Sequence, residues 1–189
     1  MDTLALAERE KLPDALRVLL QEYPRDMWEY DPGLDGLVRF WLDRHLMFRQ
    51  LLETMQDGTK ALLDQRVAIE VYVQALSRNG GMFVNGLHEH HMIEDSHYFP
   101  KLTVLDERIA KGFEILERDH HDIDALLGDF VSLANELIGL AASRDPFESA
   151  VGGFHKDLQK MARLLDRHLT DEEELVVPVI LKYGAPDPG

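Results

Sequence analysis

Two stretches decide how this chain reads: residues 87–102, LHEHHMIEDSHYFPKL, and residues 165–180, LDRHLTDEEELVVPVI. They align at an offset of 78 positions, matching His90 with His168, Glu94 with Glu172, Asp95 with Glu173 and Pro100 with Pro178. In each, a His precedes a Glu by four residues. On a helix that spacing is a rotation of about 40° and a rise of about 6 Å, so both side chains project toward one point. The segments upstream repeat as well, at an offset of 75, matching His45 with His120, Phe48 with Ile123, and Leu51 and Leu52 with Leu126 and Leu127. The chain is thus two similar helix hairpins, each supplying one lone His and one His-x3-Glu pair.

Working outward, apolar residues recur at spacings of three and four through four long segments, and strand signals are sparse, so the expected class is all-α, a four-helix bundle. The helices are expected at about 34–63, with a weak point near Asp57 and Gly58; 68–97, ending before Pro100 with a kink at Gly80 and Gly81; 106–141; and 146–177, where Pro178 disturbs the last. SRDP at 143–146 reads as a turn and cap. A short helix at about 13–23, with Leu16, Leu19 and Leu20 on one side, is expected to pack on the bundle or on a second subunit, which would make a homodimer. Residues 24–36 read as a connection. The domain organisation is then an N-terminal helical extension (1–33), the bundle (34–184) and a frayed tail (185–189).

Along each long helix the seven-residue core pattern turns polar at one level. The series are Leu34, Val38, Trp41, His45, Phe48, Leu52, Met55; then Ile69, Val73, Leu76, Gly80, Phe83, Leu87, His90, Glu94; then Ile109, Phe113, Leu116, His120, Ile123, Leu127, Phe130; and finally Phe154, Leu158, Met161, Leu165, His168, Glu172, Leu175, Val179. Four His and two Glu therefore point inward. Buried without partners, each charged one would cost several kcal/mol, against a domain stability of only about 5–15 kcal/mol. A single inward His is usually a satisfied core residue. Four at one level, two of them followed one turn later by a carboxylate, point to metal. Imidazole and carboxylate without thiolate favour iron or another transition metal over calcium or magnesium, and two His with one carboxylate, the pattern of non-haem iron with open positions, occurs twice.

Composition excludes several alternatives. A net charge of -15 opposes phosphate backbones and anionic headgroups, so neither nucleic acid nor a membrane is an expected partner. No basic n-region opens the chain and no apolar run approaches the roughly 18–20 residues of a membrane span, so the expected location is cytoplasmic. The absence of Cys removes thiolate ligands, disulfides and Cys nucleophiles.

The lone His followed by His-x3-Glu, an acidic residue and a Pro, all repeated, resembles the hemerythrin HHE cation-binding family over about residues 34–181. The resemblance implies an antiparallel up-down bundle whose ligands are His45, His90, Glu94, His120, His168 and Glu172, holding two iron ions with an oxo or hydroxo bridge, another transition metal being an alternative. One departure stands out. The oxygen carriers of the family have two His with three residues between them on the third helix, whereas Leu116 and Asp124 stand at that spacing from His120 here. The fifth His is missing from that helix, and the pattern is closer to the H, HxxxE, H, HxxxE variants. The implied ligand is oxygen, nitric oxide or peroxide, in a peroxidase or catalase-like enzyme or in a stress-related binding protein. The alternatives are a non-catalytic iron or oxygen sensor or iron-handling module, and a structural bundle that has kept its ligands without using them.

Around this set, Asp95 and Glu173 are candidates to accept imidazole hydrogen bonds from the ligands, with a solvated acidic face as the alternative. His91 and His121, each about 100° from a ligand, are outer donors or exposed residues. Asp124 is a candidate replacement for the lost ligand, His88 a surface residue, and His97 a cap at the site entrance. Tyr98, Trp41, Phe48, Leu87, Phe113, Ile123 and Leu165 would form the apolar wall. A ferritin-like centre, built on Glu94 with His97 and Glu117 with His120, fails because Glu117 leaves the core stripe and no inward Glu stands near His45. A zinc hydrolase site lacks any recognisable base or oxyanion arrangement.

Overall fold

A computed structural model describes residues 4–34, 36–143 and 147–186, and all of its regular structure is helical. A 3-10 turn (Asp14–Leu16), helix α1 (Val18–Glu22) and a second 3-10 turn (Arg25–Tyr30) precede the long helices. These are α2 (Gly36–Leu63), α3 (Ile69–Ile93), α5 (Ala110–Ser143) and α6 (Glu148–Tyr183); between α3 and α5 lie a π-helical turn (Glu94–Tyr98) and the short α4 (Phe99–Thr103). The expected all-α class and helical bundle are what is found.

The described residues form two compact units. The first comprises 1–46, 90–122 and 166–189, the second 47–89 and 123–165. Each takes one piece of every long helix, and in the first unit these are the starts of α2 and α5 and the ends of α3 and α6, the alternation of an up-down chain. Its core holds Val38 and Trp41 from α2, Phe99 and Leu102 from α4, Phe113 and Leu116 from α5, and Leu175 and Val179 from α6. Leu12, Leu19 and Trp28 of the N-terminal segment are buried in that same core, with Leu16 and Leu20 packed against it. In the second unit Phe83 packs edge-on against Phe130, which lies against Phe154.

Several boundaries depart from the expectation. Neither Asp57 and Gly58 nor Gly80 and Gly81 break their helices. Gly80 is instead a packing residue: a Cβ there would lie 3.1 Å from the Phe130 ring. Pro100 is reached through the π turn, where the Phe99 N–H bonds to the Glu94 carbonyl five residues back, and the proline becomes an early residue of α4, where its missing N–H costs nothing. Pro178 sits inside α6, which continues to Tyr183 because Val176, Val177, Val179 and Ile180 on either side are all buried. The helix ends at Gly184, whose φ of 85° suits the left-handed C-terminal position and whose N–H bonds to the Ile180 carbonyl. Of the expected turn at 143–146, Ser143 is the last residue of α5 and 144–146 lie outside the described residues, as does the tail beyond 186. By length and composition alone α5 is apolar enough to cross a membrane, which revises the reading that no segment comes close; Leu127, Phe130, Ala134 and Leu137 bury one of its faces.

Candidate metal centre

The heptad pattern that buries Val38, Trp41, Phe113 and Leu116 carries the polar residues inward too. All six predicted ligands fall in the first unit: His45 on α2, His90 at the end of α3, Glu94 at the start of the π turn, His120 on α5, and His168 and Glu172 on α6. All are buried except His90, whose side chain keeps 10% of its exposure. His91 joins them. It is buried, stacked on His120 with ring centroids 4.0 Å apart and planes 7° from parallel, and edge-on to His168 at 5.3 Å.

The donor atoms form two groups, His45, His90, Glu94 and Glu172 in one and His91, His120 and His168 in the other, each with its atoms within 4.8 Å of one another. The two carboxylates face both. Glu94 Oε1 lies 2.9 Å from His90 Nε2 and Glu94 Oε2 3.6 Å from His120 Nε2. Glu172 Oε1 lies 3.5 Å from His45 Nε2 and Glu172 Oε2 3.5 Å from His168 Nε2. His45 Nε2 and His90 Nε2 approach to 3.0 Å. Each carboxylate therefore presents one oxygen to each imidazole group.

Three of the imidazoles are held from behind by carboxylates at Nδ1, leaving Nε2 to face the centre, the orientation a ligating His requires. His120 Nδ1 lies 2.8 Å from Asp95 Oδ1, His45 Nδ1 3.0 Å from Glu173 Oε1, and His168 Nδ1 3.5 Å from Asp119 Oδ2. Asp95 and Glu173 are equivalent in the internal repeat, as are His120 and His45, so each half supplies the acceptor for the other half's lone His. Trp41 Nε1 donates to Glu172 Oε1 at 2.5 Å.

Burial and mutual charge govern protonation without metal. Burial, opposed by Glu172 and reinforced by His45, His168 and His120, lowers His90 to about 3. Burial and the neighbouring imidazoles take His91 well below its ordinary value, and burial lowers His168 despite Asp119. His45 goes the other way, because Glu172 and Glu173 outweigh its burial. Burial and the Glu172 charge push Glu94 well up, whereas the surrounding imidazoles overcome burial and hold Glu172 well down. Without metal, His90, His91 and His168 are thus held in the neutral form that cation binding requires.

A second observation tests whether a cation suits the site. Both ring nitrogens of His91, both oxygens of Glu94, the Nε2 atoms of His120 and His168 and Glu172 Oε2 are buried without a hydrogen-bond partner. Native interiors rarely leave such atoms unpaired, each costing about 1–3 kcal/mol. Here they converge from α3, the π turn, α5 and α6 on one place, where a cation would take electron pairs from the carboxylate oxygens and from one nitrogen of each imidazole. The donor set of imidazole and carboxylate fits a transition metal.

The other predicted residues divide. Asp95 and Glu173 accept from imidazoles as just described. His91 is a buried member of the cluster, neither exposed nor a mere outer donor: beside so wide a polar cluster, a wider arc of α3 faces inward than the heptad stripe predicts. His121 is exposed, and so is Asp124, whose carboxylate stands 3.7 Å from the equally exposed His88, so Asp124 does not replace the missing ligand. His97 is half-buried, 3.1 Å from Lys101 Nζ, and its ring meets Tyr98, which packs on Trp41 at 5.0 Å. The sequence reading missed Arg9, Arg25, Asp119 and Asp171. Arg9 is buried, its guanidinium bonded to Asp119 and, at 2.8 Å, to Asp171. Arg25 pairs with Glu173. Asp119 and Asp171 each directly precede a predicted ligand, the one available signal.

No curated protein and no solved structure matches the chain. A family model described as the hemerythrin HHE cation binding domain does match, over residues 36–180, a span that includes every residue of the cluster. With well over half of its length inside that match and its imidazoles and carboxylates gathered as described, the chain belongs to the hemerythrin HHE cation-binding domain family.

Proposed function

We propose that this chain is a non-haem protein holding two iron ions, and that it binds or reduces a small oxidant or gas: oxygen, nitric oxide or peroxide. The observation that carries the reading is the placement of Glu94 and Glu172, each with one oxygen toward either imidazole group. Carboxylates so placed suit a pair of cations rather than one. Two imidazoles and two carboxylate oxygens would surround the first position, and three imidazoles, with the second oxygens of Glu94 and Glu172 facing His120 and His168, the second. The first thus offers more room for an added ligand. Iron held there would supply electrons and Lewis acidity. The protein's part is to orient and to exclude water: Trp41 fixes one Glu172 oxygen, and the Trp41 and Tyr98 rings lie together beside His90.

A second reading, an iron or oxygen sensor or iron-handling module, is favoured by the unpartnered interior atoms, which tie the folded state to metal occupancy. Metal analysis of protein from iron-replete culture, with an electronic spectrum, tests both. About two irons per chain with oxygen evolution or donor oxidation on adding hydrogen peroxide supports turnover. Inert behaviour with loss of helicity or a changed oligomer on iron removal supports the sensor. Protein that retains no iron after reconstitution overturns the two together.

A further inference from the structure

We propose that Arg9 and Arg25, from the segment preceding the long helices, are positioning residues of the metal centre, each acting through a buried carboxylate on a different imidazole group. The inference rests on the metal-binding reading above. Arg9 is the stronger case. A guanidinium is expensive to bury unless paired, yet this side chain is only 1% exposed and lies between two fully buried carboxylates. Its fork meets Asp119 through Nη2 and, at 3.3 Å, through Nη1, while Nε donates to Asp171 at 2.8 Å. Nη1 also donates to the Leu4 carbonyl at 2.7 Å, tying the segment down.

Asp119 touches the centre, and Asp171 adjoins it in sequence. Asp119 accepts from His168 Nδ1 and directly precedes His120; Asp171 directly precedes Glu172 and accepts from the Leu12 N–H at 3.1 Å. Removing Arg9 frees Asp119 to turn away, and His168 loses the group that aims its Nε2. Arg25 does the same elsewhere. It pairs with Glu173, the acceptor for His45 Nδ1, and its guanidinium lies 4.9 Å above the ring of the buried Trp28. His168 belongs to the three-imidazole group and His45 to the two-imidazole group. The two arginines therefore act on different cation positions, a selectivity that a general contribution to folding would not produce.

Cobalt(II) titration of the metal-free full chain, followed by visible bands and by chelator competition, tests this. The step weakened in His91→Leu marks the three-imidazole position. Arg9→Met is expected to weaken that step by about ten- to a hundredfold, the usual effect of losing an outer-sphere partner, with Arg9→Lys in between because an ammonium keeps the charge without the fork. Arg25→Gln is expected to weaken the other step by about two- to fivefold, less because Arg25 is half exposed. Both steps within twofold of the parent in folded variants, or the same step weakened by both arginines, overturns the proposal. Should Arg9→Met fail to fold by circular dichroism, Arg9→Lys and Arg25→Gln decide by the same criterion. A parent chain that takes up no cobalt sinks the metal reading itself, a different result from normal uptake with indifferent arginines.

Discussion

His91→Leu should make the metal-free protein more stable and the metal-loaded protein less so. His91 is neutral, buried and stacked on His120, with neither ring nitrogen hydrogen-bonded. Leu has similar volume and no polar atom. Each unpaired buried nitrogen costs about 1–3 kcal/mol, and the lost ring stacking returns about 0.5–1.5 kcal/mol. With two such nitrogens the net gain without metal is then about 0.5–5.5 kcal/mol, or about 1–22 °C in melting temperature for a chain of this size. With metal the sign reverses, because the second group falls to two imidazoles and its cation should be held about tenfold more weakly or worse. Thermal melts by circular dichroism with and without iron, beside metal analysis, measure both. A metal-free melting temperature lowered by several degrees, with two metals still bound, would refute the argument and make His91 an ordinary packing residue.

Other expectations follow from the same coordinates. Glu94→Ala or His168→Ala should abolish binding of at least one ion, whereas His88→Ala, on an exposed ring near Asp124, should leave stoichiometry unchanged by metal analysis. Gly112→Ala should cost about 1–3 kcal/mol by overpacking, because its Cβ would lie 2.8 Å from Leu175 Cδ2 in the core. Gly81→Ala, exposed on α3 with open space around the new methyl, should gain about 0.5–1 kcal/mol; urea midpoints compare the two. Without metal, the lowered values of His90, His91 and His168 mean that the unfolded chain binds more protons, so stability should fall as pH drops below about 6.5 toward 3. The raised values of His45 and Glu94 act with the opposite sign, so between about pH 6.5 and 4.5 the slope should stay below three times about 1.4 kcal/mol per pH unit, and below that the lowered Glu172 and Asp119 add to the fall. Urea midpoints at pH 7 and 5 that are equal, or higher at pH 5, would contradict this.

What the sequence made legible was whatever repeats along a helix. Phe48, Leu52, Leu87, Phe113 and Leu165 fall on the core stripe and are buried, and the six polar residues on that stripe converge. His91 escaped because a rotation of about 100° ordinarily carries a side chain off the buried face. That rule assumes a narrow apolar seam rather than a wide polar centre. Arg9 and Trp28 escaped for another reason: short turns have no period to read, and their partners are distant in sequence, Asp171 for Arg9 among them. Pro178 misled because local chemistry ends helices only where packing does not insist otherwise. The π turn at Glu94 had a visible cause in Pro100, but its twin in the repeat, Pro178, lies in continuous α-helix, so the proline alone does not dictate the turn.

The exchange of acceptors between the two repeats, Asp95 with His120 and Glu173 with His45, makes the halves mutually dependent. A polypeptide carrying one hairpin would leave its solitary imidazole without an anchor unless a second copy docked alongside in inverse orientation. Fusing two such copies into one strand makes that reciprocity intramolecular, and from then on each half is free to diverge only while it continues to serve the other.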